Sequence, residues 1–204
     1  EFISQKLMKR ASTLYDLSAI VTGTLLAFCL PPSIPLWILP IGAFFAIVVV
    51  KQIFGGIGQN FANPAITARI VLFLSFAAYC SDWTSPFAWL GKADAVSSAT
   101  TLVSSETLPP FTDLLFGMRG GCIGETCAIT LILGGIYLLA RRIISPIIPL
   151  SYIASTVLLC FAFGTDPIRT LFGGGLLLGA IFMATDYSTT PVAPLGKLIF
   201  GLGC

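Results

Sequence analysis

Not one histidine occurs among the 204 residues, and only 10% of them are charged. The missing imidazoles exclude bis-histidine haem, histidine-ligated zinc and any serine–histidine catalytic pair within this chain. The shortage of charge excludes a water-facing globule, because an ordinary soluble domain carries about 25% charged residues. Here 56% of residues are hydrophobic instead. The net charge is +2 and dispersed along the chain, too little to form a nucleic-acid surface. Strict alternation of apolar and polar residues is also lacking, so helices rather than a barrel must satisfy the backbone of the apolar runs. Six cysteines are scattered, and all but Cys122 and Cys127 stand alone in apolar runs, which reads as burial of small hydrophobic side chains. Cys122 and Cys127 lack the two-residue spacing of a metal or cluster motif.

What remains is a succession of apolar segments separated by glycine, proline and a few charges. The chain opens at Glu1 without a methionine and stops at Cys204 as an apolar segment begins, so it is expected to be part of a longer protein. Leu17 to Leu30 is apolar until the Pro31, Pro32 pair. Ile34 to Phe54 is expected to cross a membrane, with Lys51 snorkelling at one interface. Ala65 to Cys80, Ile123 to Ala140 and Ile147 to Phe163 follow as further spans; Leu171 to Met183 is short, and a last helix starts near Leu195. The expected fold is an all-α integral membrane protein, a multi-span helical bundle forming one transmembrane domain over 1–204. Gly55 to Pro64 and Gly173 to Pro191 both interrupt an apolar segment with glycines, polar residues and a proline. That pattern is expected when inverted repeats each contribute a broken helix, with the two breaks facing each other.

Residues 81–121 form the one sizeable hydrophilic stretch, read as a loop carrying function. Basic residues near helix ends (Lys6, Lys9, Arg10, Lys51, Arg141, Arg142) share one face, whereas the acidic residues of the long loop fall on the other. By the positive-inside rule the first face is cytoplasmic and the loop lies outside.

The loop holds Asp94-Ala95-Val96-Ser97-Ser98-Ala99-Thr100-Thr101-Leu102. Small neighbours leave a threonine hydroxyl open to an enzyme that must bring a phosphorus atom up to it. Asp94, Ser97, Ser98, Ala99 and Thr100 match the sequon Asp-x-x-(Ser/Thr)-(Gly/Ser)-Ala-Thr used by flavin transferases, with Thr100 as acceptor and Thr101 as its competitor. Three ionisable residues lie in or beside apolar segments, where burying charge is costly. Arg69 is expected either to reach the Gly55 to Asn63 break, binding a flavin phosphate or helix end, or to form a structural ion pair. Glu125 is placed against a helix dipole. Asp186, in the second break, and Asn60 and Asn63, in the first, are candidate ion- or flavin-contacting residues.

Nearly end to end, the chain resembles the D subunit of the Rnf complex, the membrane-bound ferredoxin:NAD oxidoreductase, and more loosely the B subunit of sodium-translocating NADH:quinone reductase. The resemblance rests on Asp16 to Gly23, Cys29 to Pro32, Phe54 to Asn60, Asn63 to Ala65, the Thr100 sequon, Ile123 to Thr126, Leu133 to Tyr137, Met183 to Tyr187 and Gly196 to Cys204. It implies a fold similar to urea transporters in a bacterial or archaeal inner membrane, with FMN joined through its phosphate to Thr100 on the outer face. It also implies the A, B, C, E and G subunits of that complex as partners, and a flavin transferase for maturation. A second, non-covalently held flavin is a candidate occupant of the helix breaks. The alternatives are the flavin subunit of the quinone-reducing relative and a solute channel or transporter.

Overall fold

A computed structural model describes residues 1–83 and 111–204, so the expected flavin sequon, with Asp94, Ser97, Ser98, Ala99 and Thr100, lies outside the described residues. The regular elements of the described residues are all helical, with no strand among them. The helices are α1 (Phe2–Leu7), α2 (Ser18–Phe28), α3 (Ile38–Phe44), α4 (Pro64–Ser75), α5 (Ala77–Cys80) and α6 (Phe111–Phe116). They continue as α7 (Ala128–Ala140), α8 (Ile147–Phe163), α9 (Pro167–Phe172), α10 (Leu176–Leu178) and α11 (Pro194–Gly203). Two π-helical segments extend the rods: Phe45–Gln52 prolongs α3, and Gly179–Met183 prolongs α10. No helix of the described residues is long and apolar enough to cross a membrane.

The differences from the sequence reading have local causes. Ile147–Phe163 forms α8 as expected, and Gly164, in the left-handed region at φ +69°, ends it. Ala65 to Cys80 is instead divided at Phe76, whose φ of −133° and ψ of 45° leave the helical region between α4 and α5. Ile123 to Cys127 is not helical, because its amides turn to another element: Ile123 N–H donates to Leu30 O at 3.1 Å and Gly124 N–H to Phe28 O at 2.9 Å. Lys51 does not snorkel. It is 1% exposed, and its ammonium sits 2.9 Å from the Glu1 carboxylate and donates to Ser18 Oγ.

One order of elements occurs twice: a short helix, a π segment, an irregular break and a helix with proline in its first turn. In the first copy α3 and its π segment lead through 53–63 to α4; in the second, α10 and its π segment lead through 184–193 to α11. Proline suits each restart because its missing N–H falls where no intrahelical partner exists. Asn63 caps α4 by accepting the Ala65 and Ile66 amides at 3.0 and 3.3 Å. Gly55, Gly56 and Gly58 have φ values of +132°, +98° and +81°, a region that side-chain-bearing residues rarely adopt, so the first break is written into the chain locally.

Among the described residues one apolar cluster joins both copies. Leu26, Ile38, Ala68 and Leu72 of the first half belong to one cluster with Ala128, Leu131, Leu177 and Ile181 of the second. Glycines let backbones approach where helices meet. A Cβ on Gly42 would stand 2.6 Å from a Leu72 methyl, and one on Gly201 of α11 would stand 1.9 Å from Ser151 Oγ of α8.

Candidate functional site

The two breaks meet. Asn60 Nδ2 donates to Ser188 Oγ at 3.4 Å, and Asn63 Nδ2 donates to Met183 O at 3.2 Å, each bond joining the first break to the end of the second π segment or the residues just after it. Between them lies a cavity of about 380 Å³, within the size range of small-molecule and cofactor sites. Its polar lining includes Asp16, Lys51, Asn60, Asn63, Asp186 and Ser188. Val21 and Leu25 of α2 and Phe182 of the second π segment supply an apolar wall. A partly polar molecule matches such a lining better than a lipid chain does.

Within the cavity the polar groups differ in how well they are satisfied. Asp186 Oδ2 accepts the Ser188 hydroxyl at 2.6 Å, which orients Ser188 toward Asn60. Asn63 is fully employed as cap and cross-link. Asn60 Oδ1, by contrast, is a buried acceptor with no donor, a state that costs about 1–3 kcal/mol unless a ligand or water completes it. Asp16 stands at the edge, where it accepts the Ser18 N–H at 2.9 Å and the Ser18 hydroxyl at 2.6 Å. Desolvation pushes its pKa up, but the Ser18 bonds and the Lys51 charge outweigh that and leave it below its ordinary value.

Arg69 is placed elsewhere. Its guanidinium leaves the cavity side of α4 and meets the turn before α7, with Nη2 3.7 Å from Cys122 Sγ. Beside it, Glu125 is 6% exposed, and its Oε1 accepts the Cys122 amide at 3.0 Å. Arg119, also 6% exposed, donates to the Glu125 carbonyl at 2.6 Å. A Cβ on Gly175 would stand 2.7 Å from Glu125 Oε2 and 3.7 Å from Arg69 Nη1, so the missing side chain makes room for this buried charge cluster. The Cys122 thiol donates to Cys29 O at 3.0 Å. No disulfide joins any of the six cysteines, and no group of three potential metal ligands occurs among the described residues.

Asn60, Asn63 and Asp186 are thus brought together, while Arg69 belongs to a second cluster with Glu125. Sequence reasoning did not assign Lys51, Asp16 or Tyr187 to the cavity; the available signal was Lys51 itself, a cation inside an apolar run.

A model of the NQR2, RnfD, RnfE family matches residues 1–204. This chain belongs to that family. It is 44% identical over 211 residues to the D subunit of the Na(+)-translocating ferredoxin:NAD(+) oxidoreductase complex of Acetobacterium woodii, covering 100% of this chain and 65% of the relative. It is 38% identical over 223 residues to the D subunit of the proton-translocating ferredoxin:NAD(+) oxidoreductase complex of Clostridium ljungdahlii, covering 100% of this chain and 67% of the relative. A third family member, the D subunit of the ion-translocating oxidoreductase complex of Rhodobacter capsulatus, is 40% identical over 225 residues, covering 92% of this chain and 63% of the relative. The chain therefore spans about two thirds of the length of these curated relatives. The two facing breaks occupy motifs on which the family resemblance rests: Phe54 to Asn60, Asn63 to Ala65, and Met183 to Tyr187.

Proposed function

We propose that this chain is the membrane-embedded electron-relay subunit of an ion-translocating ferredoxin:NAD oxidoreductase complex, with FMN esterified through its phosphate to Thr100. The single observation carrying the reading is the Asp94 to Thr100 sequon in a member of a family whose relatives are named as the D subunits of such complexes. The A, B, C, E and G subunits are the partners, a flavin transferase attaches the FMN, and the Thr100 loop lies on the outer face of the bilayer. The repeated order of helix, π segment, break and proline-started helix supports a multi-span, urea-transporter-like bundle of inverted repeats. Which ion is moved is not carried over from relatives, since one is named for sodium and another for the proton.

A second, non-covalent flavin fits the cavity between the breaks. Asn60 Oδ1, a buried acceptor without a donor, suits the single N–H on the polar edge of a flavin ring, and Phe182, Val21 and Leu25 suit its face. When bound, a flavin takes up an electron pair and can release the electrons singly. The chain's own contribution is to orient the ring through Asn60 and Ser188 and to keep Asp186 bonded to Ser188 beside it.

Denaturing electrophoresis of the full-length protein under blue light tests the attachment. The band fluoresces in the parent and in Thr101→Ala, and goes dark in Thr100→Ala. A fluorescent Thr100→Ala band overturns the attachment site. A dark parent band from the native host overturns the covalent-flavin reading. The facing breaks would also suit a solute channel, and that reading expects no covalent fluorescence in any variant.

A further inference from the structure

A second concavity lies on the opposite side of the second repeat. It is a groove of about 330 Å³ lined only by apolar residues. Gly135, Ile136 and Leu139 of α7 form one wall, Ile153 of α8 the other, and Leu177 and Ile181 the floor. Gly135 keeps the floor open, because a Cβ there would already stand 3.0 Å from Ile181 Cγ2. The groove follows α7 from Ile132 to Leu139, roughly 10 Å at the helical rise per residue. It opens sideways, since Ile136 is 56% exposed and Leu150 across from it 65% exposed.

At one end of this groove, between lining residues Leu139 and Ile144, stand Arg141 and Arg142. Both are exposed, and neither side chain has an ion-pair or hydrogen-bond partner among the described residues. Nor does the end of α7 need them. Its last carbonyls are taken by backbone amides, with Arg141 N–H donating to Tyr137 O at 3.0 Å, Arg142 N–H to Leu139 O at 2.9 Å and Ile143 N–H to Leu138 O at 3.0 Å. Two exposed arginines in the turn between lining residues Leu139 and Ile144, beside an apolar slot, form the complement of an anionic amphiphile: a phosphate fits the fork geometry of arginine, and an alkyl chain fits the slot. The turn is tied to the candidate site, because the Tyr187 hydroxyl donates to Ile143 O and Tyr187 also lines the cavity between the breaks.

We infer that the α7–α8 groove binds one anionic phospholipid, its phosphate on Arg141 and Arg142 and one acyl chain along Ile136, Ile153 and Ile181. The inference rests on the membrane-embedded reading above, and its test separates the two. Full-length protein, in its complex and extracted from native membranes in mild detergent, is presented with phosphatidylglycerol or phosphatidylcholine and observed by native mass spectrometry. The parent holds one phosphatidylglycerol in preference to phosphatidylcholine. Arg141→Gln with Arg142→Gln lowers that preference by on the order of tenfold or more. Ile136→Trp, which fills the slot and leaves the arginines in place, abolishes the adduct. Should the tryptophan variant fail to assemble, the arginine pair on its exposed turn still decides. Equal retention of the two lipids by the parent, or an unchanged adduct in the arginine variant, overturns the site. So does an intact complex retaining no lipid because a neighbouring subunit fills the groove. Release from membranes by alkaline carbonate would instead overturn the membrane reading itself.

Discussion

Replacing Glu125 by alanine is the sharpest perturbation of the buried charge cluster. In the parent its carboxylate accepts the Cys122 amide at 3.0 Å, and its negative charge acts on both the Arg69 and Arg119 guanidiniums. Glu125 and Arg119 are each 6% exposed, so water cannot replace the lost charge. Removing one partner of a buried ionic group costs about 3–5 kcal/mol, mostly as the penalty on the charge left behind. The lost amide acceptor falls within that range. Glu125→Gln keeps the shape and an acceptor oxygen for Cys122 N–H but loses the same charge, so it is expected to carry most of that cost. It exceeds alanine in stability only through the retained amide acceptor, by about 1–2 kcal/mol. Reversible unfolding of the detergent-solubilised protein, with tryptophan fluorescence as the signal, measures both. The reasoning predicts glutamine well below parent and alanine lower still. Alanine within about 1 kcal/mol of parent, or equal to glutamine, would refute it.

Gly201→Ala drives a methyl to within 1.9 Å of Ser151 Oγ and 2.9 Å of Ile148 O, so α8 and α11 must part at an expected cost of about 1–3 kcal/mol; adding Ser151→Gly should recover part of that in the same unfolding assay, and strict additivity would count against the contact. Asn63→Ala removes the cap of α4 and the cross-link to Met183 O, and is expected to destabilise by about 1–2 kcal/mol and to raise hydrogen exchange at the Ala65 and Ile66 amides. Asp16 has a folded-state pKa below its ordinary 3.8. Its contribution is therefore present above that value and lost as pH falls through the lower folded-state pKa. An acid titration of stability should show this loss in the parent and not in Asp16→Asn.

The positions of the breaks were legible in the chain because their causes are local. Glycines at positive φ stop the first π segment, and Pro64 and Pro194 restart helices one residue after Asn63 and Ala193. The same holds for α8, whose apolar run ends at a glycine. Other expectations failed where a distant element decides. Ile123 to Cys127 is apolar enough for helix, yet its amides are claimed by Phe28 and Leu30 from the far half of the chain. Lys51 carries a snorkelling pattern, but Glu1 and Ser18 take it inward.

By itself, then, the sequence determined an all-helical, charge-poor chain, the two interruptions of its apolar runs and a stretch around Thr100 that matches the pattern of a flavin-transfer sequon, since each depends on residue chemistry within a few positions. Tertiary structure alone decided that Asn60 faces Ser188 across a shared cavity while Arg69 turns to Glu125 and Cys122. The physical reason is that helix and turn formation obey short-range sterics and hydrogen bonding. Where a buried polar group finds its partner depends instead on which backbones can approach closely, and here glycines such as Gly175, Gly42 and Gly201 set those approaches.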